Sequence, residues 1–183
     1  MKKTLFLCLI LSLTQVGFSQ EKKTSSVEKS IFGIQIGTLG VWAHNEFKLA
    51  NEFSLRSELG VNFGLIGGEI HNGTTLISAP SFSLEPRWYY NLSERASKNK
   101  NISKNSADFL TLGIHYFPGV NSTKFNVISQ ISFIPKWGIK RTLGDHFTYE
   151  AGIGLGYVKY LDKNYSSNKN LIGDLHLRLG YTF

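Results

Sequence analysis

Asp174, His176 and Arg178 occupy alternate positions in the run Asp-Leu-His-Leu-Arg-Leu-Gly-Tyr-Thr-Phe, which ends at Phe183. On a strand, residues two apart share a face about 7 Å from one another. Such a carboxylate could orient the imidazole for general-base work if a nucleophile joined the pair. The chain is rich in serine, yet no serine stands out as that partner, so a polar pair on one strand face is the stronger reading. The other histidines, His44, His71, His115 and His146, form no cluster with acids at metal-ligand spacing, and no cofactor is expected. Gly152-Ile-Gly-Leu-Gly-Tyr157 fails as a dinucleotide fingerprint, because the third glycine is misplaced and no helix follows. Its glycines are expected to leave room for long arginine side chains opposite.

The elements that hold these residues are strands. In the last run Leu175, Leu177, Leu179, Tyr181 and Phe183 face one way, and Asp174, His176, Arg178, Gly180 and Thr182 the other. Period two marks a strand whose faces meet different surroundings. The same sorting holds over Phe53–Leu65, Leu76–Tyr90, Phe109–Phe117, Phe125–Ile139 and Phe147–Tyr157. Across these runs the apolar face carries no charge. The opposite face carries Arg56, Glu58, Glu85, Arg87, Lys136, Glu150, Asp174 and Arg178, four bases and four acids. Trp88, Tyr90, Trp137, Phe147, Tyr149, Tyr181 and Phe183 fall near strand ends, as an aromatic girdle at a membrane surface requires. Eight strands leave an interior just wide enough for side chains to fill, so the eight charges are expected to pair across strands and occlude it.

From Phe32 to Phe47 the apolar phase slips at Gly37-Thr38. A one-residue slip turns every side chain over, so the site is a bulge or a tight turn. A turn gives eight strands, and single-chain bacterial barrels have even strand numbers. No amphipathic helix is expected. Pro80, Pro86 and Pro135 lie inside runs, where a closed barrel has no edge to hold them; bulges or strand ends are the expected accommodation.

The remaining segments concern location. Lys2 and Lys3, the apolar stretch Leu5 to Val16 and the small and polar residues to Gln20 read as a signal peptide, residues 1–20, too short to span a bilayer as a helix. Its removal takes Cys8, the sole cysteine, so no disulfide is expected. Of 20 Lys+Arg against 13 Asp+Glu it also takes two lysines, leaving 18 against 13. Much of that excess lies in Arg95–Lys104, a local patch and not a nucleic-acid surface. Residues 21–30 read as a flexible polar leader, and residues 31–183 as one barrel domain. Arg95, Lys98, Lys100 and Lys104 read first as a solvated loop; the functional alternative is contact with anionic cell-wall or lipid groups. Counting strands back from the C-terminus puts the long Asn91–Ala107 connection at the periplasmic end. Gly67–Thr75, Pro118–Lys124 and Asp162–Asn170 become the extracellular loops.

With Pro86-Arg87-Trp88-Tyr89-Tyr90-Asn91 and the terminal Leu177-x-Leu179-x-Tyr181-x-Phe183, the chain resembles the small eight-stranded outer-membrane barrels, the class of the OmpX-like and OmpA-like membrane domains. The resemblance implies an all-β, antiparallel up-and-down transmembrane barrel in the outer membrane, in contact with its lipid. It also implies that Leu177, Leu179, Tyr181 and Phe183 are the signal read by the barrel-assembly machinery. It implies no activity, since this fold hosts adhesins, enzymes and anchors alike. A structural or interaction role without catalysis is the first expectation. The alternatives are a lipid A-modifying enzyme, although no His-x-Ser-Asn stretch of the deacylase type is present, and a soluble periplasmic ligand-binding barrel.

Overall fold

The computed structural model describes residues 25–66, 75–121, 126–162 and 170–183. The strands are β1 (Ser30–Gly37), β2 (Gly40–Lys48), β3 (Phe53–Ile66), β4 (Thr75–Trp88), β5 (Asp108–Phe117), β6 (Val120–Asn121), β7 (Asn126–Val127), β8 (Gln130–Leu143), β9 (Phe147–Tyr160) and β10 (Asn170–Thr182). β6 and β7 pair only with each other. The other eight close into a single antiparallel barrel in chain order, with β10 returning to β1. The phase slip is a turn: Gly37 faces Gly40 across Thr38-Leu39, which separates β1 from β2 and completes the count of eight. The signal peptide, residues 21–24 of the leader and most of the three extracellular loops of the sequence reading lie outside the described residues.

The strands sort as their pattern demands. Ile34, Ile36, Leu59, Phe82, Leu112, Phe133, Ile153 and Leu175 stand on the outside and exposed, Leu175 at 75%. Their alternating neighbours point inward and are buried or half-buried. Cross-strand partners lead from Gly33 through His44, Glu58, Ser83, His115, Ser132 and Val158 to Asn170. Gly33 itself faces Thr182. The stagger around the barrel is therefore 182 − 170 = 12 residues. Stagger and strand tilt are linked in a closed barrel, so the strands lean strongly. The lean brings inward residues from different heights of the ladder to a common level.

The prolines fit without bulges. The β4–β5 ladder lapses between Leu84 and Arg87, around Pro86, and the β8–β9 ladder between Phe133 and Lys136, around Pro135. The register is the same on both sides of each lapse, so no extra residue is inserted. Pro80 lies beyond the last β4–β5 pair, Phe82 with Tyr116, where it has no bond to interrupt on that side. A missing N–H thus costs a ladder bond and not the register.

At the end of the barrel that holds the chain's described termini, Val27, Tyr89, Leu92, Ala107 and Phe109 form a buried apolar cluster, with Ile102 packed against it. The Asn91–Ala107 connection builds half of it. This connection contains a helix, Leu92–Ser97, and a 3-10 turn, Ser103–Asn105, both too short to leave a helical period in the sequence. Gly138 opens the wall for Phe109: a Cβ there would stand 2.5 Å from the Phe109 Cζ. The last residues of the leader are docked here as well. Val27 is buried and donates its backbone N–H to the Asn51 carbonyl, and the Glu28 N–H is held by Asn105 Oδ1 at 2.8 Å.

Candidate functional site

The inward face assembles one continuous charge network. Arg87 bridges Glu150 with both terminal nitrogens, at 2.9 and 2.8 Å, and donates to Glu85 at 2.6 Å. Lys136 Nζ binds the other oxygen of Glu85 and lies 3.5 Å from Asp174. Asp174 holds His176 Nδ1 at 2.9 Å, and His176 Nε2 lies 3.4 Å from Glu150. From Glu150 the network also runs through Arg56 at 3.4 Å to Glu58 at 2.5 Å, and from Glu58 to Arg178 at 2.8 and 3.0 Å. Gln35 Oε1 accepts from Arg56, and Ser83 donates to Glu58. All eight charged residues picked out by their strand phase meet here.

Two more complete it. Glu46 on β2 and Lys140 on β8 are fully buried and paired at 2.9 Å. Around Glu46, Tyr89 Oη and Asn105 Nδ2 each donate at 2.7 Å, and Ser54 Oγ at 2.8 Å. With this adjoining pair the interior holds five bases and five acids among the described residues. A buried carboxylate is tolerated when its lone pairs are filled and its charge is matched, and Glu46 has four donors. Burial, and after it the Glu46 carboxylate, holds the Tyr89 phenol well above its usual range, so it stays a donor. Glu46 and Lys140 were within reach of the alternation. Glu46 shares the phase of Trp42 and His44, and Lys140 lies one residue past the Phe125–Ile139 run.

The glycines of β9 serve other side chains than arginines. A Cβ at Gly152 would meet His176 Cε1 at 2.5 Å, and one at Gly154 would meet Lys136 Cγ at 2.5 Å. A Cβ at Gly156 would strike the backbone of Phe133. They accommodate an imidazole, a lysine stem and the neighbouring strand.

The network has an apolar floor and an open roof. Below, the Arg87 guanidinium lies 4.2 Å over the Phe109 ring of the end cluster. Above, a cavity of about 220 Å³ is lined by Glu58, Asp174, His176 and Arg178 together with Trp42 and His115. Arg178 lies 4.3 Å over the Trp42 ring. The Asp174–His176 pair resembles half of a hydrolytic triad. However, its second nitrogen lies against Gly152 with Glu150 3.4 Å away, so an acid stands where a nucleophile would need to be. Among the described residues no group of three or more His, Cys, Asp and Glu side chains is arranged to hold a metal ion.

Leu177, Leu179, Tyr181 and Phe183 stand on the outside of β10, exposed. Tyr181 and Phe183 join Phe32, His146 and Phe147 in an aromatic arc with centroids 5.1 to 5.6 Å apart. Phe53, Trp88 and Tyr90 continue it on the far side, and the Trp137 indole donates to Tyr90 Oη at 2.9 Å. Just beyond the apolar runs the outer phase reaches Asp108 and Arg141, paired at 2.5 Å at this rim. In the basic loop, Arg95 is tied to the carbonyls of Ser106 and Asn101, and Lys98 pairs with Glu94. The Lys104 N–H donates to Glu28 at 2.5 Å. Lys98 and Lys100 are exposed. The loop is folded, with two of its four bases facing solvent.

No family model matches the chain, and no curated protein and no solved structure matches it. Fold and site alone define the class: an all-β, eight-stranded antiparallel closed barrel with apolar side chains outside and paired charges within.

Proposed function

We propose that this chain is an integral outer-membrane β-barrel with an occluded, charged lumen and a structural or interaction role, without catalysis. One observation carries the reading: the inversion of inside and outside. Among the described residues thirty-one large hydrophobic side chains are exposed, while nine of the ten network charges are buried and Asp174 is half-buried on the inward face. A barrel folded in water has the opposite arrangement, since burying apolar area is what stabilises it. Lipid removes the conflict, because the exposed face then meets hydrocarbon and the closed ladder satisfies the backbone. The aromatic arc with its indole N–H donors suits the lipid–water boundary at one rim. Arg56, Arg87, Glu85 and Glu150 are fully buried above a packed apolar cluster, which supports occlusion.

On this reading Leu177, Leu179, Tyr181 and Phe183 contact lipid and are the signal for the barrel-assembly machinery. Lys98 and Lys100 are the solvent-facing bases that would meet anionic lipid or cell-wall groups. The full chain, produced in a Gram-negative host, is expected in the outer-membrane fraction with a heat-dependent shift in gel mobility. Recovery as a soluble periplasmic protein would refute the proposal. In planar bilayers the purified barrel is expected to show no sustained conductance of porin size; steady open channels would refute the occluded lumen.

A further inference from the structure

The outer wall carries a groove along β5. Leu110 faces Trp88 of β4 on one side and Trp137 of β8 on the other. Two residues further along, Leu112 faces Pro135, with Pro86 in register on its other side at the lapse in the β4–β5 ladder. A proline ring rises less from a sheet than an indole does. The two tryptophans therefore wall a groove of about 520 Å³ over Leu110 and Leu112. All four of these walls and floor residues are exposed.

β5 leads from this groove to the charged rim. Asp108 is two residues from Leu110 on the same face, about 7 Å away. Both of its oxygens are taken, Oδ1 by Arg141 at 2.5 Å and Oδ2 by Asn91 at 2.7 Å. Arg95, on the helix Leu92–Ser97, stands beside them. Burial and then the Arg141 charge press its guanidinium below its usual range, with Asp108 acting the other way. Glu94 is matched by Lys98, so two guanidinium groups stand near one carboxylate, an excess of one positive charge. Arg95 spends Nε and one terminal nitrogen on the Ser106 and Asn101 carbonyls, and Arg141 spends both terminal nitrogens on the Lys140 carbonyl and Asp108. The remaining N–H groups of both have no partner among the described residues. They are donors only, and neither side chain is closed off: Arg141 keeps 22% of its surface and Arg95 is half-buried. Between rim and groove, Tyr90 Oη accepts the Trp137 indole N–H at 2.9 Å, and its own O–H has no acceptor among the described residues.

We infer that this outer site holds one anionic glycerophospholipid of the bilayer, of the phosphatidylglycerol type. Its phosphodiester lies on Arg95 and Arg141, a glycerol ester on the Tyr90 hydroxyl, and an acyl chain in the groove between Trp88 and Trp137. A phosphodiester oxygen is the acceptor that guanidinium donors meet best, and its single negative charge matches the excess at the rim. Phosphatidylcholine has the same phosphate but brings a cation with it, so it fits less well. This inference rests on the membrane reading above.

The chain's three tryptophans are Trp42, Trp88 and Trp137. In a Trp42→Phe/Trp88→Phe protein, Trp137 reports on the site alone. In a Trp42→Phe/Trp88→Phe/Trp137→Phe/Ile34→Trp protein the reporter stands on β1, four strands from β5 in either direction. Each is reconstituted in phosphatidylcholine vesicles with the same small fraction of acyl-brominated phosphatidylglycerol or acyl-brominated phosphatidylcholine. At Trp137 the brominated phosphatidylglycerol should associate about tenfold better; at the β1 reporter the two should quench alike. Arg95→Gln, which leaves the Arg141–Asp108 pair intact, should cut the preference to about threefold, and Arg95→Gln/Arg141→Gln should remove it. An equal preference at both reporters would overturn the site. A preference undiminished by Arg95→Gln, or one lost in Lys98→Gln/Lys100→Gln instead, would overturn the phosphate assignment. Vesicles made wholly of brominated phosphatidylcholine separate the two levels. If neither reporter is quenched there, the membrane reading fails; if both are and Trp137 shows no preference, only the lipid site fails.

Discussion

The two ends of the barrel interior treat their charged side chains differently. At the end that carries the described termini, each oxygen of Glu46 is occupied, by Tyr89, Asn105 and Ser54 on one side and Lys140 on the other. Beneath it five apolar residues pack without polar interruption. At the opposite end, Arg178 Nε and Asn62 Nδ2 have no partner among the described residues, and beyond the β1–β2 turn β10 pairs with β9 alone among them. The first end is arranged for stability. The second leaves two buried donors unmet among the described residues. The network between them gives the second end a charged floor.

The contrast is tested most strongly at the hub of the network. Glu150→Leu removes one carboxylate shared by Arg87 and Arg56 and should cost about 3–5 kcal/mol or prevent assembly, measured by urea unfolding of vesicle-reconstituted protein. A near-neutral result would mean that water reaches both guanidinium groups. At the satisfied end, Tyr89→Phe deletes one hydroxyl donor to a buried carboxylate and should cost about 1.5–3 kcal/mol by the same measurement. At the open end, Asn62→Leu removes a buried amide nitrogen that has no partner among the described residues, so stability should rise or fall by no more than about 0.5 kcal/mol. Equal losses for Tyr89→Phe and Asn62→Leu would erase the distinction between the ends.

Much of this was legible in the sequence because a barrel strand writes its two faces into alternate residues. Arg56 with Glu58 and Glu85 with Arg87 were readable as inward neighbours, and the Gly37-Thr38 slip marked the first hairpin. Alternation says nothing about which strands meet across the lumen. The contacts of Glu150 with Arg56 and Arg87 depend on the stagger, a property of closure and not of any one strand. The end cluster was hidden for another reason. Val27 sits in a polar segment and Leu92 in a helix of six residues, so neither leaves a period. The two glycines beneath His176 and Lys136 were seen, but which side chain each admits is decided by register. The lapses at Pro86 and Pro135 were not foreseeable, because a ladder can skip two residues and resume in phase.

The central claim is that the apolar outer face lies in lipid. Leu177 is on that face, 60% exposed and well inside β10. Its replacement by arginine, with unfolding free energy measured in phosphatidylcholine vesicles, tests the claim most directly. A residue near the bilayer midplane should lose about 2–4 kcal/mol. A loss below about 0.5 kcal/mol, as for an exposed position in water, would contradict the account.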